Sequence, residues 1–518
     1  MTDATKDILI GIDAGTSVIK AVAFELSGRQ IGVASVKNTY SSSTDGSVTQ
    51  PLDRTWNDCA RVLRELGDVV QNLPQRAAAI GVTAQGDGTW LVGQNDAPVT
   101  DGWLWLDARA APTVRRLSAG ANERSRFEAT GTGLNTCQQG AQLAHILDTA
   151  PELLAKAETA LHCKDWLYLK LTNVRATDPS EASFTFGNFR TRRYDDDVIE
   201  ALGLTAFRHL LPEIIDGTQI THPLSPEAAL QTGLLAGTPV SLGYVDMVMT
   251  ALGAGVHTGD SDVACSTIGS TGVHMRAVHA SNVVLNAEGT GYVIALPDED
   301  MVTQVQTNMA ATLNIDWALQ VVTDLLADLG HQVTTSDLMA HLEKWMAQTR
   351  PGTMLYHPYI SEAGERGPFI DANARAGFIG LASTHRFPEL IRAVVEGLGM
   401  ATRDCYAAMG PMPQELRLTG GAARSPSLRS VLAASTGAAV RVSNRDEAGA
   451  AGVAMMAAVA IGAYPTMTDC IATWVTPLLG APEVADPTLM KIYADLYPTY
   501  AEARRLLGPA WAGLASMN

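Results

Sequence analysis

The sequence predicts an α/β protein of two similarly built domains facing each other across a cleft. Three observations carry that prediction. The chain has 518 residues, more than one compact core accommodates, so two domains of roughly 250 residues are expected. "ILIGIDAGTSVIKAVAFEL", Ile8 to Leu26, reads as strand, Gly-containing turn, strand. "SDVACSTIGSTGVHMRAV", Ser261 to Val278, runs in the same order with different side chains, a repeat of architecture rather than of close sequence.

The elements follow in chain order. Ile8–Asp13, Val18–Glu25 and Arg29–Val36 are expected as three meandering strands joined by "AGTS" and "LSGR". Arg54 to Leu73 carries apolar residues at helical spacing. "AAAIGVTAQG" reads as a buried strand ending in a Gly-rich loop, and "GTPVSLGYVDMVMTALGAG" as a strand leading into an apolar helix. The domain boundary is expected within Ala251–Asp260, giving domains 1–256 and 257–518. In the second half, Pro388 to Met409 is the clearest amphipathic helix, and Leu418 to Gly437 reads as strand, Gly-Gly turn, helix.

Composition narrows the function. Apolar residues are 46% and charged residues 18%, and the net charge is −17, which argues against nucleic-acid or anionic-membrane partners. Six cysteines lack metal-knuckle or redox-pair spacing, as expected of reduced thiols in the cytoplasm. "MTDATKD" has no signal-peptide pattern. Ala448 to Tyr464 is uncharged but rich in Ala and Gly, and is expected to be a buried, closely packed helix rather than a membrane span.

The chemistry concentrates in the turns. "DAGTS" can aim successive N–H groups at phosphate oxygens, with Asp13 holding Mg²⁺ and Lys20 on the next strand reaching a phosphate. The plainer alternative is a hairpin in which Gly15 supplies positive φ and Asp13 bonds its own turn. The second turn, "TIGSTG" (Thr267 to Gly272), suggests a cleft gripping one polyphosphate from both sides. Gly420 and Gly421 would let a flat ligand or a phosphate approach a helix N-terminus. Asp246 is read either as a helix cap or as the base accepting a hydroxyl proton, a task that an ionised Asp can fill in phosphoryl transfer. Gln85, Asp87, Asp107 and Arg109 are polar groups in apolar surroundings. Trp90 and Trp103 are expected in the core, and Trp105 beside a small polyhydroxylated ligand.

Together these segments resemble the FGGY carbohydrate kinases, of the actin, sugar-kinase and heat-shock-70 ATPase superfamily, over nearly the whole chain. The most specific match is "AGFIGLASTHRFPELIRAVVE", Ala376 to Glu396, which is similar to the family's C-terminal signature; "PYISEAGERGP", Pro358 to Pro368, is similar to a second family segment. Two stretches depart from the family pattern: "CQQGAQLAHIL" (Cys137 to Leu147) lacks its Lys and Trp, and "GYVDMVM" surrounds Asp246.

The resemblance implies two actin-like (ribonuclease H-like) ATPase domains, an ATP and Mg²⁺ requirement, a small-molecule polyol or sugar substrate and a homodimer. It implies Asp246 as catalytic base and Gln85, Gly86, Asp87, Trp105 and Asp246 as substrate contacts. Gly15, Thr16, Ser17, Lys20, Gly269, Ser270 and Thr271 are implied at the phosphates, Gly420, Gly421, Ala422 and Ser425 at adenosine, and Asp13 at the metal. "QGDGTWL", "FEATGTGLN", "HCKDWLYLKLT" and "NMAATLNIDW" are similar to family members acting on erythritol. A ketopentose or other polyol is the alternative substrate. A nucleotide-operated chaperone or filament protein is the alternative of another class.

Overall fold

The computed structural model describes residues 6–257, 262–298 and 300–517. The first residues of the chain and part of the expected domain boundary, 258–260, lie outside them, as does Ser261 of the second opening.

The first sheet grows from the predicted meander. β1 (Ile8–Ala14), β2 (Val18–Glu25) and β3 (Gln30–Lys37) pair antiparallel. The chain then forms helix α1 (Leu52–Val69) and returns as β4 (Ala77–Ala84), parallel to β1. α1 starts earlier and stops earlier than its apolar spacing suggests. Pro51 stands just before the helix and fits its start, and Val70 already has extended backbone. β5 (Thr221–Pro223) and β6 (Pro239–Leu242) complete the order β5-β6-β4-β1-β2-β3. Between β4 and β5 lie, among other elements, helices α2 (Cys163–Thr172) and α3 (Pro179–Phe186).

Helix α4 (Asp246–Gly253) leads to the second sheet. That sheet contains β7 (Val263–Ile268), β8 (Gly272–His279), β9 (Tyr292–Ala295), β10 (Met301–Asn308), β11 (Glu415–Thr419) and β12 (Ala439–Val442), in the order β9-β10-β8-β7-β11-β12. Again an antiparallel run, β7-β8-β10, is flanked by parallel β11 and β12. The architectural repeat is therefore present at the level of sheet topology.

Helices α5 (Leu313–Asp328), α6 (Phe387–Ala407) and α7 (Pro426–Thr436) belong to the second half. The Ala-rich segment forms helix α8 (Ala448–Ala460), buried over most of its length, and no described helix is long and apolar enough to cross a membrane. Although it follows β12, α8 packs on β1, β4 and α4. The approach is close enough to require glycine: a Cβ on Gly11 would stand 2.0 Å from the Ala450 carbonyl oxygen. α8 thus joins the two halves and brings its N-terminus to the end of β1, where the cleft begins.

Candidate active site

The turn after β1 is held from outside and left open inside. Asn38 Nδ2 donates to the Gly15 carbonyl at 2.9 Å, and the Asn38 N–H donates to the Ser17 carbonyl at 2.8 Å. Among the described residues no backbone acceptor takes the N–H groups of Gly15, Thr16 or Ser17. Gly15 is not among the glycines with positive φ, and no hydrogen bond ties Asp13 to its own turn. The plain-hairpin alternative therefore lacks both features it needs.

The second turn is built alike. Ala311 and Thr312 donate their N–H groups to the Ser270 and Gly269 carbonyls at 2.6 and 2.9 Å, so the carbonyls face the body of the domain. The Ser270 and Thr271 N–H groups meet no backbone acceptor among the described residues. A Cβ on Gly269 would project into open space, and Thr267 Oγ1 is buried there without a partner. Both turns thus present unclaimed donors at strand ends, which suits an anionic, multiply charged ligand.

Gly420 has φ +87, and its missing Cβ would stand 2.6 Å from the Ile268 carbonyl oxygen. This contact places the Gly-Gly loop directly behind the second turn. Gly421 opens onto space, whereas Ala422 is buried. Ser425 is committed locally: it caps α7, accepting the Leu428 N–H at 3.2 Å and donating to Glu343 at 2.9 Å. Of these four residues, Gly421 faces open space, while Gly420 backs onto Ile268 and its carbonyl already accepts the Ala423 N–H at 3.2 Å.

Three carboxylates converge beside the first turn. Asp13, at the end of β1, is half-buried; burial pushes its carboxyl up to about 6, opposed by Lys20 and reinforced by Glu447. Asp246 opens α4, and the cap residue is Val245, so Asp246 is not the helix cap. Its Oδ1 accepts the Met247 N–H at 2.7 Å. Burial, and then the charge of Asp13, push Asp246 up to about 7 against the backbone N–H groups of Met247 and Gly86, with Asp87 adding to the rise. Asp87 is buried and also raised to about 7 by desolvation, opposed by the Cys137 thiol, and its Oδ1 is buried without a hydrogen-bond partner. A cation or a hydroxyl donor beside these carboxylates would relieve the cost of burying them together. No group of three or more His, Cys, Asp or Glu among the described residues is placed to hold a metal ion. A divalent ion at Asp13 would therefore take most of its shell from phosphate and water, as Mg²⁺ does.

Other expected residues fall around this centre. Lys20 lies opposite Asp13 in the β1–β2 ladder, but its Nζ pairs with Glu447 Oε2 at 2.7 Å. Trp105 is partly exposed and donates from Nε1 to Thr16 Oγ1 at 2.9 Å; Thr16 in turn donates to Gln85 Oε1 at 3.0 Å. Gln85 donates onward to Gln50 at 3.1 Å. The structure therefore joins Gln85 and Trp105 to the first turn and leaves Asp87 as the open polar group of the loop. Gly86 packs against Val245, beside Asp246. Asp107 is tied to Arg109 and to the Val48 N–H, and Arg109 lies over Trp103, so this pair is architectural. Trp90 and Trp103 are core residues as expected.

The sequence reading missed the residues that close the pocket from afar. Tyr292 on β9 places its hydroxyl 3.4 Å from Cys137 Sγ, and the Gly133 N–H donates to the Gly291 carbonyl at 2.9 Å, so the second half touches the Asp87 side of the first. Glu365 accepts the Met309 N–H at 3.0 Å and leaves Oε2 buried and unpartnered. Glu181 supports Asp87 from below. The acid inside the apolar run "DPSEASFTF" was the available signal for Glu181.

Residues 8–253 match the N-terminal domain of the FGGY family of carbohydrate kinases and residues 264–461 its C-terminal domain. An erythritol kinase from Brucella abortus is 69% identical over 98% of this chain and 98% of its own. A xylulose kinase from Escherichia coli is 29% identical over 82% of this chain and 84% of its own. A ligand-bound xylulose kinase structure from Lactobacillus acidophilus superposes with a TM-score of 0.88 at 21% identity, covering 98% of this chain and 99% of that one. The resemblance read from the motifs and the actin-like two-domain fold both stand, and a chaperone or filament protein is set aside. The chain belongs to the FGGY family of carbohydrate kinases.

Proposed function

We propose that this kinase transfers the terminal phosphoryl group of ATP to a terminal hydroxyl of erythritol, with Asp246 as the base and Asp87 as the principal substrate ligand. The observation that carries the reading is the cluster of Asp13, Asp87 and Asp246, with one Asp87 oxygen buried and unpartnered. A buried carboxylate oxygen without a donor favours a ligand that brings hydroxyl groups to it. The 69% identical relative named erythritol kinase supports the choice of polyol.

Asp13 would hold Mg²⁺, which neutralises charge on the terminal phosphates when bound. The N–H groups of Gly15, Thr16, Ser17, Ser270 and Thr271 would receive phosphate oxygens, and Gly420 and Gly421 would border adenosine. Asp246 accepts the hydroxyl proton as the oxygen attacks phosphorus, and the product is a phosphate ester. Closure of the halves around Tyr292 and Cys137 would exclude water that otherwise hydrolyses ATP. An ATP-dependent enzyme with six buried free thiols suits the cytoplasm.

A coupled ADP-release assay across three- to six-carbon polyols and ketoses tests the substrate. Highest kcat/KM on erythritol supports the reading. Preference for a ketopentose overturns erythritol while leaving the kinase assignment intact.

A further inference from the structure

Behind the Asp87 loop runs a string of titratable side chains that are almost fully buried. Lys164 Nζ lies 2.7 Å from Asp165 Oδ1 and 2.5 Å from Asp178 Oδ2. Asp165 Oδ2 lies 3.0 Å from His162 Nδ1, and His162 Nε2 lies 3.5 Å from Glu181 Oε2. All of these side chains belong to, or directly precede, α2 and α3. Burying three acids, a lysine and a histidine is costly compared with an apolar core, so the string needs a reason to be there.

Its two ends supply one. Glu181 Oε1 accepts the Asp87 N–H at 3.2 Å. At the other end, Ser180 donates to Asp178, and the same hydroxyl accepts the Val245 N–H at 3.0 Å, one residue before Asp246. Gly86 fits between them: a Cβ there would stand 2.2 Å from Val245 Cγ2 and 3.2 Å from Glu181 Oε1. Asp87 itself has φ +55, a left-handed conformation that costs a non-glycine residue energy and persists only where its surroundings hold it.

We propose that Glu181 is a positioning residue, the terminus of a buried ionic string that holds the strained Asp87 loop in register with Asp246 and thereby sets polyol affinity. The inference rests on the polyol reading above. Charged and titratable groups face Glu181 from each neighbouring element: His162 just before α2, Lys164 from α2, Asp178 from the start of α3, and Asp87 from the loop. Desolvation pushes the Glu181 carboxyl up to about 8, opposed by His162 and Lys164 and reinforced by Asp87 and Asp178.

The test compares Glu181→Ala and Glu181→Gln with wild type, using erythritol and ATP as separately varied substrates. Glu181→Ala is expected to raise the polyol KM at least tenfold, with the ATP KM within twofold of wild type. Glu181→Gln retains the acceptor and is expected to restore the polyol KM to within threefold. A polyol KM within twofold in Glu181→Ala, or an ATP KM that rises by the same factor, overturns the proposal. If Glu181→Ala fails to fold, Glu181→Asp decides: its carboxylate stops a methylene short of the Asp87 N–H, so the polyol KM should rise roughly fivefold with the ATP KM within twofold, and an unchanged polyol KM overturns the proposal. If wild type does not use erythritol, the substrate reading fails by itself, and the same comparison is made on the polyol or ketose that wild type does use.

Discussion

Lys20 Nζ and Glu447 Oε2 lie 2.7 Å apart, although 427 residues separate them in the chain. This ion pair joins β2 of the first sheet to the N-terminus of α8, and both partners act electrostatically on Asp13. For Lys20 to reach a phosphate it must exchange Glu447 for the nucleotide. Both side chains are partly reached by solvent, so the pair itself adds little stability. Lys20→Met is expected to change stability by less than about 1 kcal/mol. It should raise the ATP KM about tenfold, the equivalent of roughly 1.4 kcal/mol, and leave the polyol KM unchanged. Steady-state kinetics with each substrate varied in turn checks this. An unchanged ATP KM removes Lys20 from the phosphate site.

Gly449 touches Asp13 from the other side. A Cβ there would stand 2.4 Å from Asp13 Oδ2 and 3.4 Å from Thr250 Oγ1. The clash is with the end of a side chain, so Gly449→Ala should fold and displace the Asp13 carboxylate. A misplaced catalytic group costs about 10²-fold in rate, and kcat is expected to fall by that order with polyol affinity retained. Gly421→Ala, whose Cβ enters open space, is the comparison for the nucleotide side and should raise the ATP KM instead. Equal kinetics for Gly449→Ala and wild type would contradict the placement of Asp13.

Stability should depend on pH through the same carboxylates. Asp13 rises from 3.8 to about 6 and Asp246 from 3.8 to about 7, both mainly through burial. The folded state therefore holds these protons more tightly than the unfolded chain. Their stabilising contribution is full below about pH 4 and is lost as pH rises through 6 and 7. Without ligand, Tm should fall between pH 5 and pH 8. Asp13→Asn should remove part of that slope and raise stability at pH 8 by about 1–2 kcal/mol, since a tenfold gain in proton affinity on folding corresponds to about 1.4 kcal/mol before water in the cleft screens it. Thermal melts at both pH values test this, and a wild-type Tm that rises from pH 5 to pH 8 would contradict it.

Asp246→Asn keeps the size of the side chain and removes its ability to accept a proton. Its kcat is expected to fall by about 10²–10⁴, with nucleotide binding intact by calorimetry. Turnover near wild type excludes Asp246 as the base.

Local pattern made much of this architecture legible. The strands Ile8–Ala14 and Val18–Glu25 are short apolar runs that flank a short turn, and helix Phe387–Ala407 has a full apolar face, so neighbours in sequence reveal them. The open turns were legible because their chemistry is compressed into a few residues, whereas the segment around Asp246 fits a helix cap as readily as a base, and only the family resemblance implies the base. Pairing across the chain was not. Nothing near Lys20 announces Glu447, and nothing near Asp87 announces that Thr16 claims Gln85 or that Glu181 supports the loop. Ser425 shows the converse: its place in a Gly-rich motif suggested a ligand contact, and the helix it caps had already taken its hydroxyl. Helix α8 was recognisable as buried, but its seat on the first sheet follows from the missing side chains of Gly11 and Gly81, whose value appears only when Ala450 and Val453 arrive.

The central claim is that Asp87 reads the hydroxyls of a small polyol while Asp246 activates one of them. The most direct measurement is kcat/KM for erythritol, glycerol and xylulose with wild type and Asp87→Ala, beside ATP hydrolysis without polyol. Losing hydrogen bonds to a charged group predicts a drop of roughly 2–4 kcal/mol in transition-state stabilisation for erythritol. Substrate preference should flatten, and polyol-independent ATP hydrolysis should stay as in wild type. An Asp87→Ala enzyme with the wild-type order of substrates and the wild-type efficiencies would contradict the account.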